Sequence, residues 1–232
     1  MKTIELHRTI TESNDADAAR LRTELTSRGI LLINIMSAAG SGKTTLLMRL
    51  IRDLKDRADI YILEADIASD VDAKAVEAAG AFSIQAHTDG MCHMDAGMTA
   101  DALKELLTEH TRSERPALVF LENVGNLICP AEYDTGAHAN VMLLSVPEGD
   151  DKPLKYPLMF QKSDVLVITK TDALQYFDFD MGKARERAIH LNPDIKIFPV
   201  SARTGADMDC LEDWIMSKAS ELNGYPKEAL NA

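Results

Sequence analysis

The chain has little material for a disulfide framework. Three cysteines in 232 residues leave its stability to an ordinary hydrophobic core. It also lacks an excess of positive charge: 25 basic against 37 acidic residues set a net charge of −12. That balance opposes nucleic acid or an anionic membrane as a partner, because both call for a clustered basic surface. No apolar run approaches the roughly 18 residues of a membrane span. The N-terminal Met1-Lys2-Thr3-Ile4-Glu5-Leu6-His7 lacks the long apolar segment of a secretory signal. No internal repeat, low-complexity tract or Pro/Gly/Ser linker divides the chain. These absences lead us to expect a cytoplasmic protein. What is present, 46% hydrophobic and 27% charged residues, is the ordinary composition of a globular α/β domain.

Apolar runs of strand type occur at Ile30–Met36, Ile60–Leu63, Ala117–Leu121, Val141–Val146, Val165–Thr169 and Ile195–Val200, with a shorter one at Phe82–Gln85. Helical spacing separates most of them, at Thr44–Lys55, Asp70–Ala79, His93–Glu109, Met181–His190 and Ala206–Ser220. Alternating strands and helices predict a mainly parallel sheet with right-handed crossovers, flanked by helices. Ahead of the first strand, Ala18, Leu21 and Leu25 recur at helical spacing. We therefore expect residues 1–29 to form a helical extension and residues 30–232 the main domain. The polar stretch from Asn126 to Asn140 is expected to be a functional loop.

The segment Ser37-Ala38-Ala39-Gly40-Ser41-Gly42-Lys43-Thr44-Thr45 joins the first strand to a helix. Strand, small-residue loop and helix N-terminus together make a phosphate cradle, the P-loop of an NTPase. Backbone N–H groups around Gly40, Ser41 and Gly42 can reach phosphate oxygens because no bulky side chain blocks them. Lys43 adds charge at the β/γ-phosphates, the Thr44 hydroxyl can ligate Mg²⁺, and Thr45 continues the helix start. Ser37 stands where the motif usually has its first glycine.

In open α/β sheets, ligands gather beyond the carboxyl ends of the strands. Glu64 and Asp66 follow the second strand and Glu122 ends the fourth, so Asp66 and Glu122 are candidates to hold Mg²⁺ or the attacking water. Gly125 can offer an N–H to a γ-phosphate. After the strand Val165–Ile168 comes Thr169-Lys170-Thr171-Asp172. A carboxylate there can accept from N1–H and the 2-amino group of guanine, a donor pair that adenine does not present. The Lys170 stem can cover the base, and N–H groups at Ser201 and Ala202, after a later strand, can meet guanine O6. The order favours GTP over ATP, although Thr169 occupies a position where GTPases usually have asparagine.

Cys92 and His93 lie in Asp89-Gly90-Met91-Cys92-His93-Met94-Asp95-Ala96, and Cys129 in Gly125-Asn126-Leu127-Ile128-Cys129-Pro130. Both segments should emerge near the nucleotide edge. Two thiolates and an imidazole suit a soft or borderline ion, nickel or zinc, with a fourth ligand from water or a second subunit. Cys210, within a helical pattern, is expected to be ordinary core. His87 reads as a structural histidine.

Together the phosphate loop, Glu64-Ala65-Asp66, Cys92–Ala96, Glu122–Ala131 and Glu148-Gly149-Asp150-Asp151-Lys152-Pro153-Leu154-Lys155-Tyr156-Pro157 resemble the HypB-type GTPases over roughly Ile30 to Ile215. Those proteins assist nickel insertion into nickel–iron hydrogenases. The resemblance implies a GTP hydrolase with Lys43, Asp66 and Glu122 in catalysis. It implies metal ligands Cys92, His93 and Cys129 at the interface of a homodimer, and a hydrogenase precursor and other nickel-maturation proteins as partners. The cysteine-containing or histidine-rich N-terminal nickel segments of some members do not occur before Ile30, so no high-capacity nickel store is expected. Two other classes fit the residues alone: a P-loop small-molecule kinase, or a regulatory nucleotide switch with structural cysteines.

Overall fold

The computed structural model describes residues 3–65, 70–86, 93–109 and 115–223. The strands are β1 (Ile30–Ser37), β2 (Asp59–Glu64), β3 (Phe82–Gln85), β4 (Ala117–Glu122), β5 (Ala139–Ser145), β6 (Val165–Thr169) and β7 (Lys196–Pro199). They form one sheet in the order β3-β2-β4-β1-β5-β6-β7, and every pairing in it is parallel. The helices are α1 (Thr3–Arg28), α2 (Lys43–Leu54), α3 (Asp70–Ala79), α4 (Ala96–Glu109), α5 (Lys152–Lys155), α6 (Pro157–Gln161), α7 (Met181–Leu191) and α8 (Met208–Asn223).

β1 is buried along its whole length, which is why it reads as a continuous apolar run: helices cover both faces of a central parallel strand. Leu31, Ile33 and Ile35 pack with Leu46, Leu50, Leu211 and Ile215 of α2 and α8. Ile30 and Leu32 turn the other way, onto Leu21 and Leu25 of α1 and Leu103 of α4. Farther along that face, Met36 joins Met142, Met159 and Phe160. Pro199, which has no N–H, sits in β7 at the sheet edge, where a missing donor does no damage.

The chain places β2 and β3 on one side of β1 and β5 to β7 on the other, with β4 beside β1. The loops after β1 and β4 therefore meet at the reversal point, where doubly wound sheets hold ligands.

Three local results differ from the periodicity. α4 starts at Ala96 rather than His93, because Asp95 caps it: the Met98 N–H donates to Asp95 Oδ1 at 2.8 Å. His93 thus belongs to a loop. α1 begins at Thr3, earlier than its apolar spacing indicates, and Gly29, at φ 71°, ends it in the left-handed region. The short α5 and α6 carry Pro153 and Pro157 in their first turns, positions that tolerate a missing N–H.

Candidate functional site

The phosphate loop closes on itself through its own side chains. Gly40 and Gly42 have φ of 77° and 98°, which residues with a Cβ rarely adopt. Gly42 thereby turns the chain into α2. The buried Ser41 hydroxyl donates to the Ala38 carbonyl at 2.8 Å. Ser37, fully buried, accepts from Lys43 Nζ at 3.2 Å and donates to the Ala38 carbonyl at 2.7 Å. The residue that departs from the usual glycine thus braces the base of the loop.

Across the loop, the Thr44 hydroxyl donates to Glu122 Oε1 at 3.2 Å. Two residues 78 apart in sequence so present an alcohol and a carboxylate oxygen together, donors that suit a hard cation such as Mg²⁺. A Cβ on Gly125 would lie 3.2 Å from Ala39 Cα and 3.3 Å from its nitrogen, so only a glycine lets the β4 loop approach the phosphate loop this closely. Glu64 stands opposite Glu122 in register, buried, and accepts from the Ser83 hydroxyl at 3.2 Å. Asp66 lies outside the described residues.

Beside this corner is a cavity of about 360 Å³ lined by Ser41, Gly42, Thr45, Thr169, Lys170, Asp172, Ala173, Ala202 and Arg203. Lys170, itself at φ 60°, passes its stem 3.6 Å from where a Gly42 Cβ would be and donates Nζ to the Gly40 carbonyl at 2.7 Å. Asp172 accepts from the Ser201 hydroxyl at 2.7 Å, with the Arg203 guanidinium 3.8 Å away. Lys170, Asp172 and Ala202 therefore line one cavity, and the buried Ser201 stands behind Asp172 as its hydrogen-bond donor. Ala173 and Arg203 also line the cavity. Direct adjacency to Asp172 and Ala202 was the one sequence signal available for them.

The ligand candidates are placed in part. Cys92 and His87 lie outside the described residues. His93 is buried and stacked on Tyr133, with ring centroids 3.9 Å apart and planes 10° from parallel. Burial pushes its pKa down against the pull of Asp95 and Glu132, which favours the neutral, metal-ligating imidazole. Cys129 begins a short 3₁₀ turn, half-buried, its sulfur accepting from Asn126 Nδ2 at 3.4 Å. Among the described residues no three His, Cys, Asp or Glu side chains converge. Asn14 of α1 ties the two loops together: its Oδ1 accepts from Ala96 N–H at 3.0 Å and its Nδ2 donates to the Asp134 carbonyl at 2.9 Å. Arg22 adds hydrogen bonds to both Asp134 carboxylate oxygens, at 2.8 and 2.9 Å. Cys210, contrary to the core expectation, is exposed. The buried face of α8 is filled instead by Met208, Leu211, Ile215 and Ala219.

Comparison with known proteins supplies the family. The family model for the CobW/HypB/UreG nucleotide-binding domain matches residues 31–199. The hydrogenase maturation factor HypB of Rhizobium leguminosarum bv. viciae is 41% identical over 94% of this chain and 71% of its own length. The chain belongs to the HypB family. Another HypB relative, the hydrogenase/urease maturation factor of Helicobacter hepaticus, is 40% identical over 95% of the chain and 90% of its own length. The crystal structure of HypB from Helicobacter pylori in complex with nickel superposes with a TM-score of 0.83 at 36% identity, covering 90% of this chain and 96% of that one. In this HypB-family chain the matched segment spans the phosphate loop, the Glu122 loop and the Asp172 segment. No helix among the described residues is long and apolar enough to cross a membrane.

Proposed function

We propose that this chain is a cytoplasmic GTPase whose nucleotide cycle controls the binding and release of nickel for a nickel–iron hydrogenase precursor. One juxtaposition carries the reading. The loop from Glu122 through Gly125 to Cys129 touches the phosphate loop at Thr44 and Ala39, so one short segment would join a γ-phosphate contact at Gly125 to the sulfur of Cys129. The nickel complex of the Helicobacter pylori relative supports the choice of ion; zinc suits the same ligands.

Gly40, Ser41, Gly42 and Thr45 cradle the phosphates, while Lys43 stabilises charge on the transferred group. Thr44 and Asp66 would hold Mg²⁺, whose chemistry is to neutralise phosphate charge, with Glu122 beside it or orienting water. Gly125 senses the γ-phosphate. Asp172 reads the guanine edge, Lys170 covers the ring and the Ser201–Ala202 backbone meets O6. Cys92, His93 and Cys129 are the nickel ligands, and a second subunit completes the coordination. A homodimer is the assembly that this shared coordination requires, with other nickel-maturation proteins as further partners.

The deciding experiment titrates nickel into wild type and Cys129→Ala in the GDP state and with a non-hydrolysable GTP analogue. The reading requires metal affinity to differ between nucleotide states, and to be lost in Cys129→Ala with nucleotide binding intact. Identical nickel affinity in both states would sink it. Lys43→Ala must lose most Mg²⁺-dependent hydrolysis, and Asp172→Ala the preference for GTP over ATP.

A further inference from the structure

A row of three asparagines crosses the sheet beneath the Glu122 loop. Asn34 lies in the middle of β1, 1% exposed, and Asn123 just past β4 is fully buried. Asn140 stands opposite Asn34 in the β1–β5 register. Asn123 Nδ2 donates to Asn34 Oδ1 at 3.1 Å, Asn34 Nδ2 to Asn140 Oδ1 at 3.0 Å, and Asn140 Nδ2 to the Lys162 carbonyl at 3.3 Å. The row separates two apolar clusters on this face, one containing Leu32 and Leu121 and the other Met36 and Met142.

The far end sets the direction of the whole row. A backbone carbonyl can only accept, so Lys162 turns the amide nitrogen of Asn140 toward itself. The Asn140 oxygen must then accept from Asn34, and the Asn34 oxygen from Asn123. The last free oxygen, Asn123 Oδ1, is left facing the loop, where it accepts from the Val124 N–H at 2.9 Å. The Asn123 N–H is held by the Ile35 carbonyl at 3.1 Å. The backbone from Glu122 to Gly125 is thus pinned from below by the row and from above by the close approach to Ala39. An apolar residue in β1 would pack against its neighbours without such demands. A buried amide in this position specifies geometry.

The geometry points to Asn34 as a positioning residue for nucleotide hydrolysis, acting through Asn123 on Glu122 and Gly125. This role rests on the GTPase reading above. Its test compares wild type, Asn34→Leu, Asn34→Asp and Val76→Ala. Val76 is buried against the opposite face of the sheet and serves as a control for lost stability. The readouts are Kd for GDP and GTP, kcat, KM and melting temperature. For Asn34→Leu we expect kcat to fall about tenfold or more with Kd values within about twofold, since the cradle and base pocket are untouched. Asn34→Asp should recover most of the rate, because a carboxyl buried among neutral amides keeps its proton and offers one donor and one acceptor. Val76→Ala should lower the melting temperature and leave kcat unchanged. Should Asn34→Leu fail to fold, Asn140→Leu, at the half-buried end of the row, is expected to lower kcat in the same selective way. An unchanged kcat in a folded row variant, or an equal kcat loss in Val76→Ala, would overturn the role. Wild-type protein that binds GTP without turning it over would refute the hydrolysis reading itself, and this role with it.

Discussion

The hydroxyl of Thr169 donates to the backbone carbonyl of Ser41 at 2.7 Å, both residues being buried. This bond ties the loop after β6 to the phosphate loop after β1. The side chain that departs from the usual asparagine therefore has a mechanical role in the site, distinct from the base recognition assigned to Asp172.

Replacing Thr169 with valine keeps the volume and removes the donor, leaving the Ser41 carbonyl without its partner at a cost of about 1–3 kcal/mol. GTP and GDP should weaken together, by about tenfold, with the preference over ATP retained. Calorimetric titration with the three nucleotides checks it. A loss confined to guanine nucleotides would show that Thr169 reads the base.

Gly125→Ala places a methyl group 3.2 Å from Ala39 Cα, tighter than van der Waals contact. The loop must shift by a few tenths of an ångström, at about 1–2 kcal/mol. Hydrolysis should drop about tenfold or more while GDP affinity stays near wild type. Single-turnover rates set against GDP titration separate the two. A parallel loss of GDP affinity would mean that the phosphate loop itself had moved.

Asn14→Ala removes both hydrogen bonds that hold the Ala96 segment to the Asp134 segment. With the proposed ligands His93 and Cys129 on these segments, nickel affinity should fall about tenfold, the size of effect expected when support behind a ligand is lost, and GDP affinity should not change. Competition with a chromogenic chelator measures the first quantity. Unaltered nickel binding in a folded Asn14→Ala protein would detach α1 from the proposed metal site.

Glu212, on α8, has its carboxyl pushed up to about 7, first by burial, then by the Asp53 charge and hydrogen bond and by Asp209, with Arg49 opposing. The folded state keeps this proton to about pH 7, whereas the unfolded chain releases it near the ordinary 4.5. Folding takes up a proton between those values, so this group's contribution to stability falls as pH rises through them. Glu212→Gln should flatten that slope and stabilise the protein by about 1 kcal/mol at about pH 8, a figure reduced for the solvent screening of a half-exposed side chain. Urea melts across the pH range decide it. An unchanged slope would place the coupled proton elsewhere.

Much of this was legible in the chain because it depends on neighbours in sequence. The run Ile30–Met36 announces a doubly covered strand, and Gly40-Ser41-Gly42-Lys43 a phosphate cradle, since both requirements are met by contiguous residues. Boundaries were less legible. The apolar spacing after His93 continues smoothly into α4, and nothing in that period reveals that Asp95 would cap the helix and leave His93 in a loop against Tyr133. Asn34 carried a signal, a lone amide in a buried apolar strand, but its meaning was out of reach without its partners.

By itself the sequence determined the order of strands and helices, the phosphate loop and the chemical kinds of side chain at each strand end. Those follow from local periodicity and from the geometry of adjacent peptide units. Tertiary structure alone decided which of those ends touch: Thr44 with Glu122, Thr169 with Ser41 across 128 residues, Asn34 with Asn123 across 89, and Asn14 with Ala96 across 82. Each contact depends on strand register or helix docking to within an ångström. That precision arises when the whole core packs at once, and no local stretch of the chain encodes it.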